Sequence, residues 1–432
     1  MHVVIVGTGP SGLILALLLS RANIRVTLLD GASTLDDRPR AAHYAPSAIR
    51  VLRDAGVLDD VRSKGFIPGA MMWRKIDGSP IAGLKDTPES RGEDGLTVLP
   101  LNMLGKVLLS HAEREGNISV KWEHKVVDVG QDEGGAWAVV EMRDGSEVRV
   151  TGDYLVGCDG ANSRVRKALF GDVFEGKTWD AQIVATNVYY PLHDFGFTDI
   201  NNIIHHEDYY MAAIISKDGM WRVSYGEDPK LSYEEVLANQ PAKYERMLPG
   251  NPKPGDYKLT NVGPYRIHQR CAESFRVGKI TLAADAAHLV NPFGGMGLTG
   301  GIVDVGGLAE CLIGIEKGVA DEDILDKYSE KRMEKWREYI NPISSDNFLR
   351  VSATDPEDPF TTDEFLKFCR EMEEDGTGKM KRDFDASVYD ICHDFTQYYR
   401  DAPVSKTPAT AVMNGTTAVN GVEGHASNGI KV

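Results

Sequence analysis

The chain has 432 residues, more than one hydrophobic core usually supports, so we expect two closely packed domains with extensions. Its formal net charge of −16 argues against nucleic acid and against an anionic membrane surface as partners. The five cysteines lack the spacing of metal ligands, and neither a basic leader nor an apolar run of about 20 residues is present. We therefore expect a reduced cytoplasmic protein without a metal site, either a monomer or a homodimer.

The N-terminus reads as a strand, a tight turn, a helix and a second strand. The apolar run Val3–Val6 enters a glycine-rich turn, and the apolar helical pattern Leu13–Leu19 follows. Glycines here would permit the turn, the approach of a pyrophosphate to the backbone, and close packing of helix on strand. The second strand ends on an aspartate whose carboxylate would accept ribose hydroxyl groups. The predicted dinucleotide site consists of Gly7, Gly9, Pro10, Ser11, Gly12 and Asp30.

The middle of the chain changes to short strands rich in β-branched and aromatic residues, separated by Gly, Asp and Asn turns. These strands are Ala181–Tyr190, Tyr209–Ser216 and Met220–Tyr225. We expect them to form a sheet domain that interrupts an α/β domain, and residues 71–97 can join that sheet. The expected boundaries are 1–172 and 263–345 for the α/β domain, 173–262 for the sheet domain, 346–402 for a helical extension and 403–432 for a disordered tail.

A second glycine pattern, Gly295–Gly300, matches the dinucleotide fingerprint literally. No strand precedes it, since Asn291-Pro292-Phe293 does not read as one, so the required strand-turn-helix context is missing. We interpret it as a glycine-rich loop that opens a helix. Such a helix start presents N–H donors to an electron-rich ring edge that becomes anionic on reduction, as that of a flavin does.

Three stretches, Val3–Gly12, Gly157–Arg166 and Ile280–Gly301, together resemble the class A flavoprotein monooxygenases, the aromatic hydroxylases with the p-hydroxybenzoate hydroxylase type of fold. The resemblance runs from Met1 to about Asn347. It implies an α/β fold in which a Rossmann-type FAD-binding domain is interrupted by a β-sheet substrate domain and followed by C-terminal helices. It also implies that NAD(P)H is the transient reductant of FAD. One atom of dioxygen would pass through a flavin hydroperoxide to an aromatic or other electron-rich small molecule of phenol, polyketide or indole type. The reaction would be a hydroxylation or an epoxidation, in the tailoring of secondary metabolites or in aromatic catabolism.

The same resemblance assigns FAD contacts outside the first motif. These are Arg40, Asp159, Gly160, Arg166, Asp285, Pro292, Gly294, Gly295, Gly297 and Leu298, with Ser163 completing the central motif. The sequence departs from the family where Ala284 replaces a glycine, Thr299 replaces an asparagine, and Leu101 or Asn102 replaces an Arg or Gln. The alanine is a small change if its φ angle is negative.

A monooxygenase needs a mostly apolar cavity that excludes water, with a few polar groups that orient or deprotonate the substrate. The candidates are His43, Tyr44, His206, Tyr210, Arg222, Tyr225 and Pro292. His205 and Tyr209 are neighbours of two candidates, and strand alternation lets one member of each pair face the cavity.

Three other functions use similar motifs. Flavin halogenases carry a W-x-W-x-I-P motif, whereas this chain has Trp221-Arg-Val-Ser at its nearest match. Isoprenoid reductases share the first motif but fit Asp159 and Asp285 less well. A flavin-binding protein without redox turnover would have little need for the Pro292–Gly297 loop.

Overall fold

The computed structural model describes residues 1–38, 40–85 and 93–400. The expected disordered tail lies outside this part of the chain. The strands are β1 His2–Val6, β2 Arg25–Leu29, β3 His43–Tyr44, β4 Ala70–Lys75, β5 Pro80–Lys85, β6 Thr97–Val98, β7 Ile118–Lys121, β8 Lys125–Asp132, β9 Gly135–Glu141, β10 Glu147–Gly152, β11 Tyr154–Gly157, β12 Gly176–Tyr189, β13 Ile200–Ile204, β14 Tyr210–Ile214, β15 Met220–Glu227, β16 Lys258–Cys271, β17 Arg276–Val277, β18 Ile280–Leu282 and β19 His288–Leu289.

Helices connect the strands and form the C-terminal part of the described chain. They are α1 Pro10–Arg21, α2 Pro46–Asp54, α3 Leu58–Lys64, α4 Leu101–Ala112, α5 Arg164–Phe170, α6 Tyr233–Met247, α7 Met296–Glu316, α8 Ile324–Lys335, α9 Asn341–Ala353, α10 Pro359–Thr362, α11 Glu364–Glu374 and α12 Lys379–Ser387. Helix α7 is long and apolar enough to span a membrane by length and composition, but most of it is buried inside the protein, as expected of a core helix.

The first sheet is the Rossmann-type sheet, with strand order β17-β18-β11-β1-β2-β7. Strand β1 pairs in parallel with β2 and β11 at its centre, and Val3, Val4 and Ile5 are fully buried. Burial on both faces explains why this strand is continuously apolar rather than alternating. Helices α1 and α7 and the small sheet β10-β9-β8 contribute to the same core. The carboxyl ends of β1, β2 and β11 therefore meet at one edge, where a nucleotide can bind.

The second sheet has eight strands in the order β19-β16-β12-β15-β14-β13-β4-β5. Three predicted strands became β12, β14 and β15, whereas the sequence analysis did not identify β13. Strand β16 runs through the expected boundary at residue 262, because its pairing with β12 continues as far as Arg270. Strands β4 and β5, from the stretch that could join the sheet, form its opposite edge.

The two faces of the large sheet have different partners. On one face Val223 and Tyr225 pack with Tyr244 of α6. On the other face Ile183 packs with Phe293, which precedes α7, and with Phe348 of α9. This second face is turned toward the Rossmann-type sheet, so its side chains are the ones available to a site between the two sheets.

Candidate active site

The turn between β1 and α1 uses its glycines in three different ways. Gly7 has φ +105°, and a Cβ there would lie 2.4 Å from the carbonyl oxygen of Cys158. A Cβ on Gly12 would lie 2.1 Å from the carbonyl oxygen of Gly7, so the helix packs directly on the turn. A Cβ on Gly9 would meet no protein atom within 4 Å. Gly9 therefore leaves open space beside the N-terminus of α1, where a pyrophosphate fits.

Asp30 closes the other side of this space at the end of β2. Its Oδ2 accepts hydrogen bonds from the Thr8 backbone N–H at 2.9 Å and the Thr8 hydroxyl at 2.6 Å, and its Oδ1 accepts one from the Ala32 N–H at 2.9 Å. A cavity of about 500 Å³ extends from the Gly7–Pro10 turn past Asp30 to Arg40 and Gly160. The residues that line this cavity are those expected to contact the nucleotide half of a dinucleotide.

In the central motif, Asp159 and Arg166 are held mainly by protein contacts. Asp159 precedes α5, whose N-cap is Ser163: its Oδ1 accepts a hydrogen bond from the Ser163 hydroxyl at 2.6 Å, and its Oδ2 accepts one from the Arg164 N–H at 2.6 Å. Arg166 is buried and donates to the carbonyl oxygens of Ala286 at 2.9 Å and Ala161 at 2.8 Å. Arg166 thus lies behind the cavity and ties the central motif to the third one, instead of reaching a ligand as the resemblance implied.

The third motif contains a strained turn. Ala284, which stands where the family has glycine, has φ +57°, so the substitution is not the small change that a negative φ would make it. The next side chain, Asp285, is exposed, although desolvation by the surrounding protein raises the pKa of its carboxyl group. Asp285 has no hydrogen-bond partner among the described residues. A carboxylate in this position is free to accept hydrogen bonds from hydroxyl groups of a ligand.

The glycine-rich loop lies at the start of α7. Gly294 and Gly295 have φ +87° and +66°, and the Gly295 N–H donates to the Pro292 carbonyl at 3.2 Å. This turn leaves the N–H groups of the first turn of α7, which includes Gly297 and Leu298, without intrahelical acceptors. The interpretation of residues 295–300 as a loop that opens a helix agrees with this geometry.

The arrangement fits FAD. Gly9 leaves room for a diphosphate, Asp285 offers an unpartnered acceptor, and α7 begins with free N–H donors. Arg40 lies between these regions: its guanidinium forms an ion pair with Asp36 at 2.7 Å and acts on the pKa of Asp285. These residues would hold the two halves of the cofactor from opposite ends.

A polar group of side chains lies on the inner face of the large sheet. The Arg222 guanidinium donates to Oδ1 of buried Asn187 from Nε at 3.1 Å and from Nη2 at 2.9 Å. Burial lowers the pKa of Arg222, which also interacts electrostatically with Tyr265 and Arg40. Tyr265 lies directly opposite Ile183 on the same face; it keeps 37% of its surface accessible, and desolvation raises the pKa of its hydroxyl group.

His43 belongs to the same group. Burial and the nearby charge of Arg222 lower its pKa to about 4, so the ring is neutral at pH 7. Within the described part of the chain, its Nε2 is buried and has no hydrogen-bond partner. Nδ1 likewise has none among these residues, but it is not fully buried, so Nδ1 is the nitrogen that a ligand can reach.

The other catalytic candidates do not lie in this group. The Tyr44 hydroxyl is fully buried and donates to the Leu99 carbonyl at 2.8 Å. Tyr210 and Tyr225 face α6 on the outer side of the sheet, and His206 is exposed in a turn. Strand alternation explains why the side chain of Tyr225 points away from Arg222, because the two residues lie an odd number of positions apart in β15.

Tyr209, not Tyr210, faces the glycine-rich loop. Its ring centroid lies 6.3 Å from that of Phe293, which follows Pro292, and burial raises its pKa to about 12. The sequence analysis also missed Tyr265 and Asn187. Asn187 lies in a predicted strand, and pairing of β12 with β15 places it directly opposite Arg222, but single-sequence patterns do not reveal that register.

Comparisons with known proteins agree with the geometry. The family model described as the FAD binding domain matches residues 1–340. Para-nitrophenol 4-monooxygenase of Pseudomonas sp. strain WBC-3 is 36% identical over 84% of this chain and 91% of that protein. The 6-hydroxy-3-succinoylpyridine 3-monooxygenase HspB of Pseudomonas putida strain S16 is 35% identical over 82% of this chain and 90% of that protein.

A solved structure shows the same architecture. The crystal structure of p-nitrophenol 4-monooxygenase PnpA from Pseudomonas putida DLL-E4 aligns with a TM-score of 0.83 at 34% identity, over 90% of this chain and 97% of that one. The predicted fold and the FAD-dependent monooxygenase activity are thereby confirmed. The halogenase, reductase and non-redox alternatives receive no support from these matches.

Proposed function

The chain belongs to the class A FAD-dependent aromatic monooxygenases, and we propose that its substrate is a hydroxyarene, held as the phenolate and oxygenated at the ring carbon para to the hydroxyl group. FAD is the cofactor and NAD(P)H the reductant. The observation that carries the proposal is the half-buried cation Arg222 beside His43 and Tyr265 on the inner face of the large sheet.

Arg222 would bind the phenolate oxygen. A partly buried guanidinium attracts an anion more strongly than one in water does, because the surrounding dielectric is lower. The neutral amide of Asn187 orients the guanidinium without neutralising it. Arg222 would thus lower the pKa of a bound phenol and favour the electron-rich anion that oxygenation requires.

His43 would handle the hydroxyl proton. The neutral ring can accept a hydrogen bond from the substrate hydroxyl at Nδ1, within reach of the same positive charge. A histidine with a pKa of about 4 is a weak base by itself. Once a phenolate lies beside it, the negative charge raises the pKa of His43, so the ring can hold the proton.

FAD, when bound, would supply the electron transfer from NAD(P)H to dioxygen and the activation of that dioxygen. The protein's contribution is to orient the substrate and exclude water. Phe293 and Phe348 pack beside the Pro292 loop with ring centroids 5.6 Å apart, and Tyr209 covers them. This aromatic cluster keeps the space between the loop and the sheet apolar on that side.

The relatives' names support the position of attack. By its name, one relative oxygenates para-nitrophenol at C4, and the other oxygenates 6-hydroxy-3-succinoylpyridine at C3. In both substrates the oxygenated carbon carries a substituent and lies para to the hydroxyl group. We infer the same orientation here, with the hydroxyl at Arg222 and the para carbon toward the flavin loop.

The test is turnover by FAD-loaded protein with para-substituted hydroxyarenes, with NADH and NADPH each as reductant. Para-nitrophenol and its methyl ether form a matched pair, because the ether cannot become a phenolate. We expect the phenol to accelerate NAD(P)H oxidation and to exchange its nitro group for oxygen at the para carbon, so that nitrite leaves and para-benzoquinone forms, while the ether does neither. Equal turnover of phenol and ether, or oxygenation only ortho to the hydroxyl, would contradict the proposal.

We also infer a soluble cytoplasmic enzyme, active as a monomer or homodimer. All five cysteines are free thiols in the described structure, as expected in a reducing compartment. Fractionation of cells and light scattering of the purified protein test these two points.

A further inference from the structure

We propose that Asp304, in the middle of α7, is a positioning residue for FAD: its buried carboxylate fixes the turn from which Asp285 reaches the cofactor. Asp304 itself lies behind that turn, and neither sequence motif nor family resemblance pointed to it. The inference depends on FAD binding and not on the identity of the substrate.

The carboxylate of Asp304 is fully buried and has three charged or polar partners. Its Oδ2 accepts the Ala284 N–H at 3.0 Å and pairs with Nε2 of His288 at 2.7 Å, and its Oδ1 accepts Nε of Arg332 at 2.7 Å. Burial alone would raise the pKa of this carboxyl group, but His288 and Arg332 hold it well below its ordinary value. A permanent anion therefore lies under the turn.

The turn needs such a support because its conformation is strained. Ala284 has φ +57°, a left-handed conformation that an alanine adopts much less readily than a glycine does. Its methyl group is accommodated by Gly301 on α7, since a Cβ added there would lie 2.7 Å from the Cβ of Ala284. The Asp304 hydrogen bond to the Ala284 N–H and the missing side chain at Gly301 act together to keep the residue in this region.

The consequence falls on Asp285. The strained residue precedes it directly, so the φ and ψ angles of Ala284 set the direction of the unpartnered Asp285 carboxylate. Arg332 also donates to the Ile391 carbonyl, which connects the same anion to the C-terminal part of the described chain. Displacing Asp304 should thus weaken cofactor binding through Asp285, without any direct contact to FAD.

A double-mutant cycle tests this route. The four proteins are wild type, Asp285→Ala, Asp304→Asn and the double variant, each stripped of FAD and titrated with it while flavin fluorescence is followed. We expect each single variant to weaken the FAD Kd about tenfold or more. The double variant should bind FAD as weakly as Asp285→Ala alone, within about twofold, because the two residues act in series.

Thermal unfolding of the apoprotein separates positioning from general stability. Asp304→Asn should lower Tm equally in the presence and absence of the Asp285 side chain, since its stabilising partners are unchanged. Cys311→Ala is the matched control: it is a buried residue of the same helix that does not touch the turn, and it should lower Tm while leaving the FAD Kd unchanged.

Two results would overturn the proposal. One is an Asp304→Asn protein with wild-type FAD affinity, and the other is a double variant whose loss equals the product of the two single losses. If Asp304→Asn does not fold because Arg332 is left unpaired, the same cycle is run in an Arg332→Gln background, which removes the stranded charge.

Discussion

The nucleotide end of the FAD site and the proposed substrate site are built in different ways. The nucleotide end consists mainly of backbone: the Gly7–Gly12 turn, the start of α1 and one carboxylate at the end of β2. The proposed substrate site consists of side chains from distant positions, with His43 on β3, Arg222 on β15 and Tyr265 on β16. The first is specified by a short continuous sequence and the second by strand register.

This difference predicts how each region responds to mutation. A backbone site tolerates no added atom where it is packed or where it contacts the ligand. A site built from side chains tolerates substitutions of the residues around it, but it loses function when one of its charged side chains is removed.

The largest effect is expected at the glycine turn. Gly12→Ala places a methyl group 2.1 Å from the Gly7 carbonyl oxygen, so it should lower the free energy of unfolding by about 3 kcal/mol and abolish FAD binding. Gly9→Ala meets no protein atom, so the apoprotein should keep its stability and lose only FAD affinity. Urea unfolding and FAD titration separate the two outcomes, and full FAD affinity in Gly9→Ala would contradict the assigned pyrophosphate position.

The second effect is expected at the substrate cation. Arg222→Met should lower kcat/KM for a hydroxyarene by about a hundredfold to a thousandfold, or about 3 to 4 kcal/mol, with FAD content unchanged. Tyr225→Phe, on the same strand but facing α6, is the control and should stay within about twofold. An equal loss of kcat/KM in both variants would mean that substitutions in β15 lower activity only by destabilising the fold.

The third effect concerns pH and His43. The unfolded chain binds a proton at His43 with a pKa near 6.5, whereas the folded protein does so only near pH 4. Lowering the pH from 6.5 to 4 therefore favours unfolding, by up to about 3 kcal/mol, and above pH 6.5 this contribution is absent. His43→Gln should remove that part of the acid destabilisation in urea titrations of the apoprotein, while His206→Gln, in an exposed turn, should leave it in place. An unchanged pH dependence in His43→Gln would contradict the buried neutral ring.

The smallest effect is expected at Tyr265. Tyr265→Phe removes one hydroxyl from the cavity wall and should raise the KM for the hydroxyarene about fivefold, or about 1 kcal/mol, with little change in kcat. Tyr210→Phe changes a buried hydroxyl on the outer face and should leave KM unchanged. If the two variants had the same KM, the cavity would not include Tyr265.

The sequence predicted the parts of the fold that depend on local patterns. The apolar run of β1, the glycine turn and the helix-opening loop at Gly295 are readable because their determinants are adjacent in the chain. Strand β13 was missed although its side chains are buried, because Ile200–Ile204 contains two asparagines that resemble a turn. Strand β16 was not predicted either, since it contains Gly263 and Pro264.

The side chains of the proposed substrate site could be anticipated from the sequence only in part. His43 and Arg222 were among the candidates, but so were Tyr210 and Tyr225, which face the opposite side of the sheet. Alternation within β15 could have separated Arg222 from Tyr225 from the sequence alone. The contributions of Asn187 and Tyr265 depend on the pairing of β12 with β15 and β16, which no local pattern encodes.

The most direct test of the account is the ionisation state of a bound hydroxyarene. Para-nitrophenol absorbs at different wavelengths as phenol and as phenolate, so a difference spectrum with FAD-loaded protein at pH 6 reports which form is bound. We predict the phenolate spectrum for the wild type and its loss in Arg222→Met. Binding of the neutral phenol by the wild type, or the same phenolate spectrum in both proteins, would contradict a cavity organised around Arg222.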